Sequence, residues 1–201
     1  KVHLVREEAE FIDDRTVHAG GEDYTAKKIF IGAGTEPFIP PIPGIKEIPG
    51  ILTNTNMFQL EKMPATLTII GGGAIGSEMA QAFTRLGTKV SMIHMDPHLI
   101  PVGDAEAAQV LEEIFRNEGI AVHNGAKIES VSMEDGQVVV NAGKVVLRSE
   151  RLLVAAGRKP VLEPLKLENA GIEYTKKGIT VDSYMRTSKK HIYAVGDCNG
   201  Q

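Results

Sequence analysis

Residues 66–90 read TLTIIGGGAIGSEMAQAFTRLGTKV, and this pattern decides the fold class. Leu67-Thr68-Ile69-Ile70 is a short apolar run suited to a buried strand, and Gly71-Gly72-Gly73 stops it. Ile75, Met79, Ala82, Phe83 and Leu86 then recur at helical spacing, with Gly87 placed as the residue after the helix. Lys89-Val90-Ser91-Met92-Ile93 follows at once as a second strand. Strand, helix and strand with joints this short make a right-handed parallel βαβ unit. Inside it, Gly71-x-Gly73-x-x-Gly76, continued by Ala80, has the form of a dinucleotide fingerprint. The first glycine permits a tight turn, the second lets backbone meet a pyrophosphate, and the third lets helix lie close on strand. Amides at the helix start, from Ala74 and Ile75 on, add the positive end of the macrodipole. A purely structural glycine turn is the alternative, and the strand before and helix after favour the fingerprint.

Downstream, Asp104 is an N-cap type opening a second helix, with Val110, Leu111, Ile114 and Phe115 on one face and Gly119 at its end. A third strand at 120–122 is expected next, then three short antiparallel strands at 127–133, 137–140 and 145–147. Arg151-Leu152-Leu153-Val154 is a return strand ending at Ala155-Ala156-Gly157. Upstream, Leu4-Val5, Phe11-Ile12 and Thr16-Val17-His18 read as short strands, and Lys28-Ile29-Phe30-Ile31 as another that stops at Gly32-Ala33-Gly34. The run 37–44, rich in proline, must be extended and looks like a domain connection.

Residues 28–37 line up with residues 151–160, each following a set of short antiparallel strands. A complete βαβ unit precedes the second copy and none precedes the first. The economical reading is two related domains, the first lacking its βαβ half, in a chain that is the central piece of a longer protein.

At 201 residues, with 42% hydrophobic and 24% charged content, the chain can bury a core, which excludes disordered and disulfide-stapled classes. The net charge of −4 offers no basic footprint for nucleic acid. Its single cysteine, Cys198, cannot form an internal disulfide, and the longest uncharged stretch, 63–77, is too short to span a membrane. No basic-then-apolar leader opens the sequence, so a soluble cytoplasmic protein is expected, bound to neither membrane nor nucleic acid.

The residue about twenty positions past the fingerprint reads the adenosine ribose in such folds. His94 occupies that slot, and Asp96 serves as the acidic reader if the register shifts. NAD and NADP therefore both stay open at this point. His94 and His98 make a poor metal pair, since Pro97 intervenes and no third ligand stands nearby, and no metal is expected. Glu78, in the first turn of the fingerprint helix, is either a dipole-stabilised carboxylate or a charge beside the nicotinamide. Asp197 follows Gly196 at a strand end, where open α/β sheets bind ligands, or is an ordinary turn aspartate. Cys198 lacks a resolving partner and reads as a buried wall residue.

Together the segments 29–37 (IFIGAGTEP), 68–90, 152–160 (LLVAAGRKP) and 191–200 (HIYAVGDCNG) resemble the pyridine nucleotide–disulfide oxidoreductase family of flavoenzymes, in family order and over essentially the whole chain. The wording is most similar to the dihydrolipoamide dehydrogenase and mercuric reductase branch. The resemblance implies an α/β fold: a Rossmann-like, three-layer NAD(P)-binding domain with short antiparallel strands at 53–160, inserted in an incomplete FAD-binding domain at 1–52 and 161–201. It implies FAD contacts at Ala9, Ala33, Gly34 and Asp197, and NAD(P)H contacts at Gly71, Gly73, Ala74, Ile75, Gly76, His94, Val131, Ala156 and Gly157. Glu78 matches the family glutamate on the nicotinamide and flavin side, a catalytic position. The complete protein would be a homodimeric FAD-dependent oxidoreductase passing hydride from NADH or NADPH to flavin and on to a disulfide or other small-molecule electron acceptor. The amino-terminal FAD fingerprint, the Cys-x4-Cys pair and the His-Glu pair of that family are absent from these residues, so the chain alone is expected to be inactive. A flavin NADH oxidase without a redox disulfide and a non-enzymatic dinucleotide-binding module remain the alternatives.

Overall fold

A computed structural model describes residues 2–200. The chain divides into a split unit, built from the segment up to Glu36 and the segment from Arg158 on, and a central unit of residues 37–157. In the split unit, β1 (Ala9–Phe11), β2 (Thr16–Ala19) and β3 (Glu22–Thr25) form an antiparallel sheet. Gly20 and Gly21 join β2 to β3 with φ of +61° and +78°, the left-handed pair that a two-residue hairpin demands. β3 is polar and largely exposed, so no apolar alternation betrays it in the sequence. Leu4 and Val5, expected as a strand, lie outside any element, and Leu4 is exposed. β4 (Ile29–Ile31) and β5 (Thr35–Pro37) follow.

The central unit runs β6 (Thr66–Ile70), α1 (Ala74–Arg85), β7 (Lys89–Ile93), α2 (Ala105–Asn117), β8 (Ala121–His123), β9 (Ser130–Glu134), β10 (Gln137–Ala142), β11 (Val145–Ser149) and β12 (Arg151–Val154). Four of these make a parallel sheet in the order β12-β6-β7-β8, while β9, β10 and β11 make an antiparallel one. Strand alternation sorts the core into two sides. Leu67, Ile69, Val90, Met92 and Leu153 pack with Ala80 and Phe83 of α1 and Phe115 of α2. Ile70, Ile93, Leu152 and Val154 pack with Val131, Val138 and Val140 of the antiparallel sheet. Three layers result: helices, parallel sheet, antiparallel sheet. Thr68, on the second side, receives a 2.8 Å hydrogen bond from Ser149 Oγ, so its buried hydroxyl is satisfied.

The boundaries differ from those expected at 52/53 and 160/161. Ile45 and Ile48 are buried in the cluster that holds Ile70 and Val131. Leu52 N donates to Leu152 O and Val154 N to Leu52 O, both at 2.8 Å. The proline-rich run therefore opens the central unit instead of preceding it, because its isoleucines need that core. Beyond Gly157 the chain rejoins the split unit as β13 (Arg158–Pro160), which pairs with β5. β14 (Tyr174–Thr175) and β15 (Gly178–Ile179) form a small hairpin, and β16 (Ile192–Ala194) pairs in parallel with β4. The two sequence copies thus share a strand–glycine–strand plan, and their second strands, β5 and β13, pair with each other.

Two helix faces are narrower than the apolar spacing suggested. On α1 the buried stripe is Gly76, Ser77, Ala80 and Phe83, and Leu86 is exposed at the C-cap. On α2, Ala108, Leu111 and Phe115 face the core, whereas Val110 and Ile114 fall on the neighbouring stripe and are exposed. Asp104 caps α2 as expected: its Oδ1 accepts from Glu106 N at 2.8 Å and Ala107 N at 3.2 Å. Asp104→Ala is expected to cost about 1 kcal/mol, read as a fall of roughly 2–4 °C in the thermal midpoint.

Candidate functional site

The turn after β6 needs its glycines for different reasons. A Cβ on Gly71, whose φ is +118°, would stand 2.2 Å from Ala155 O, and one on Gly76 would stand 2.2 Å from Gly71 O. Both positions are therefore closed by backbone. At Gly73, in ordinary extended backbone, nothing lies within 4 Å of the missing Cβ. Gly73 is also the N-cap of α1 and supplies no side-chain acceptor, so the first amides of the helix face the open side without a capping group.

That side is a cleft of about 440 Å³, lined by Gly71–Ile75, by His94, Met95 and Asp96 beyond β7, and by Ala155, Ala156 and Gly157 beyond β12. It lies at the carboxyl ends of the parallel strands, where open α/β sheets bind ligands. Gly71, Gly73, Ala74, Ile75, His94, Ala156 and Gly157 are thus brought together. Val131 is not among the lining residues. It is 2% exposed in β9, its N donating to Pro43 O, and it serves as core between the two sheets. Because α1 begins at Ala74, Glu78 stands beyond its first turn, where the dipole has fallen off, contrary to the expected placement. Glu78 is exposed, and among the described residues no ion pair or hydrogen bond engages it.

His94 is 4% exposed, and a Cβ on Gly72 would come within 2.7 Å of its ring atoms. The fingerprint leaves that middle position free, so only packing reveals that Gly72 is required here. His94 Nε2 bonds Asn124 Oδ1 at 2.8 Å, and Asn124 Nδ2 donates to Glu112 Oε1 at 2.8 Å. Glu112 Oε1 also accepts from Leu99 N at 2.9 Å. With an amide hydrogen committed to the Glu112 carboxylate, Asn124 presents its oxygen to the ring, so Nε2 is the donor of that bond. His94 Nδ1 is buried without a hydrogen-bond partner, 3.8 Å from Asp96 Oδ2. No sequence signal marks Asn124 or Glu112, which meet His94 from β8's far end and from α2. The loop itself is tied down: Ile100 N donates to Gly72 O at 2.7 Å, and Ile100 holds a φ of +49°, rare for a β-branched residue.

In the split unit, Gly32-Ala33-Gly34 leave β4 and Gly196-Asp197 leave β16, its parallel neighbour, at the same carboxyl edge. Asp197 Oδ2 accepts from Thr35 Oγ1 at 3.0 Å, and Thr35 Oγ1 in turn accepts from Arg158 Nε at 2.6 Å. Ala33 and Asp197 are exposed, and no atom lies within 4 Å of where a Gly34 Cβ would be. Ala9 belongs to a different sheet, paired with Ala19 across β1 and β2. Cys198 is fully buried, its Sγ toward Ile31 O and Val195 O. Among the described residues no group of three or more His, Cys, Asp or Glu is arranged to hold a metal. No helix there is long and apolar enough to cross a membrane.

A glycine-turn cleft at the carboxyl edge of a parallel sheet, carried by a unit that interrupts another, is the class of protein these features define. The family model described as pyridine nucleotide-disulphide oxidoreductase matches residues 1–201, and the chain belongs to that family, whose members use FAD and NAD(P)H. It is 36% identical to a mercuric reductase of Staphylococcus aureus over 96% of this chain and 36% of the relative. It is 34% identical to the dihydrolipoyl dehydrogenase of Bacillus subtilis over 100% of this chain and 45% of the relative. The chain thus spans under half the length of these relatives. Among solved structures it is similar to the HOCl-induced flavoprotein disulfide reductase RclA from Escherichia coli, with TM-score 0.89 and 34% identity over 96% of this chain and 45% of that one.

Gly72→Ala should force His94 aside and cost on the order of 1–3 kcal/mol, whereas Gly73→Ala should stay within about 0.5 kcal/mol of the parent. Thermal melts of both variants check the contrast.

Proposed function

We propose that the central unit is a Rossmann-like NAD(P)H-binding domain and that the split unit carries part of the FAD site of an oxidoreductase. The observation that carries this is Gly73: the turn is closed around Gly71 and Gly76 by the protein's own backbone, yet open beside Gly73. An anionic diphosphate fits that opening. It would accept from the amides at the start of α1, while the apolar walls exclude water and Ala156 and Gly157 border the far side. The same test in the split unit favours FAD: Gly34 leaves room for a close approach, and Asp197 is an exposed acceptor held in place by Thr35. Ala9 and Ala33 would complete those contacts. Bound in the complete protein, the two groups would supply hydride chemistry, NAD(P)H as donor and FAD as acceptor, with a disulfide or comparable small molecule as the final electron acceptor.

Glu78 is a free carboxylate available for a charged partner beyond this chain, and we assign it to the nicotinamide side of the reaction. The complete protein is proposed to be a cytoplasmic homodimer, in line with the family. For the folded chain, fluorescence titration should show saturable binding of NADH or NADPH, weakened roughly tenfold or more by Gly73→Ala, which puts a methyl where the diphosphate belongs. Absence of binding to either nucleotide by a folded chain would remove the assignment. Glu78→Ala in the complete protein should slow flavin reduction by NAD(P)H without changing the melting temperature; stopped-flow absorbance at the flavin band measures this.

A further inference from the structure

We propose that the proline-rich run 38–43 is the wall along which a dinucleotide lies, and that it holds the purine by shape without reading its hydrogen-bonding edge. The proposal rests on the reading of the cleft as the pyridine-nucleotide site and deepens it.

Pro40 and Ile42 line the cleft together with Ile128. The run that carries them is pinned at both ends within the central unit. Phe38 N donates to Gly157 O at 3.0 Å, beyond the end of β12, and Pro43 O accepts from Val131 N at 2.9 Å. Gly44 then turns the chain with a φ of +79°, and a side chain there would run into Val131 O. Ile128 comes from the segment before β9, which is tied to the end of β7: Gly125 N donates to Asp96 O and Ala126 N to His94 O. The run therefore leaves the β12 edge of the cleft and heads for the segment that closes the β7 corner. That is the course of a ligand whose diphosphate sits at Gly73 and whose two halves reach those two edges.

Three of residues 40–43 are proline and have no amide hydrogen. The one amide left, Ile42 N, donates to Pro40 O at 2.8 Å. That bond closes a three-residue turn centred on Pro41, whose ring holds φ near the value such a turn needs. The wall so formed is rigid, apolar and without a free donor. At the β7 corner the carbonyls of His94 and Asp96 already accept backbone hydrogens, and Pro101 brings no donor. Among the lining residues only His94 and Asp96 have polar side chains. A flat ring gains contact with such a surface by dispersion and by excluding water, so exchanging one polar group on its edge changes little. Rigidity adds to this, because a wall fixed before binding has little freedom left to lose on contact.

The test is calorimetric titration of the folded chain with NADH and with reduced nicotinamide hypoxanthine dinucleotide, in which a carbonyl replaces the purine's amino group. Affinities within about threefold of each other are expected, and a larger loss with the hypoxanthine ligand overturns the claim that the edge is unread. Ile42→Val and Ile39→Val separate wall from core, since both side chains pack on the cluster of Ile70 and Val131 and only Ile42 lines the cleft. Ile42→Val should weaken NADH binding about three- to fivefold. Ile39→Val should lower the melting temperature to a similar degree and bind as the parent does. Parent-like binding by Ile42→Val, or equal losses in the two variants, overturns the wall. Pro41 is exposed and outside the lining, so Pro41→Gly loosens the run without touching the ligand. It should weaken NADH at least about threefold while circular dichroism shows the chain folded; parent-like binding overturns the part played by rigidity. Failure of the folded parent to bind either ligand removes the nucleotide reading, and the wall with it.

Discussion

The central unit depends on one close approach of backbone to backbone at Gly71. Three strand ends converge there: Gly71 N donates to Ile93 O beyond β7's last pair, Ala155 N donates to Ile70 O, and Ala155 O lies where a Gly71 side chain would begin. α1 can then start directly over the end of β6, with Gly76 pressed on Gly71 O. Any side chain at either place would lift the helix off the sheet, separate Ala80 and Phe83 from Ile69, and open the cleft's floor. Packing of this kind is unforgiving because backbone atoms, unlike side-chain ends, cannot step aside.

Around that junction the central unit spends few polar groups. The cleft walls are mostly apolar, with uncapped helix-start amides on one side and His94 and Asp96 beyond β7 on the other. The His94 ring is held from behind by a hydrogen-bond chain through Asn124 to the Glu112 carboxylate, which fixes its orientation at the end of β7. The split unit uses a similar economy at smaller scale. Thr35 passes a hydroxyl hydrogen to Asp197 while accepting from Arg158, which orients an exposed carboxylate at the edge of the β4–β16 pair.

Relatives more than twice as long share this arrangement over almost the whole of the present chain. That a central piece retains a complete three-layer unit follows from its own core: both faces of the parallel sheet are covered by residues of 37–157. Among the described residues the split unit pairs two parallel strands, β4 and β16, and relies on a smaller cluster around Phe11, Ile31, Leu167 and Ile192.

The sequence by itself determined the βαβ unit, the cap at Asp104, the return strand Arg151–Val154 and the three fingerprint glycines, because each is written in spacing over a few neighbouring residues. It also determined that a repeat exists, since 28–37 and 151–160 share one strand–glycine–strand plan. Tertiary structure alone decided that the proline run belongs to the central unit, that Val131 is core, and that Val110, Ile114 and Leu86 face outward. It alone joined Glu112, Asn124 and His94, and set the His94 ring against Gly72. The reason is physical: spacing encodes which face of one element is apolar, whereas a hydrogen-bond chain or a steric limit depends on which distant element arrives opposite, and at what distance.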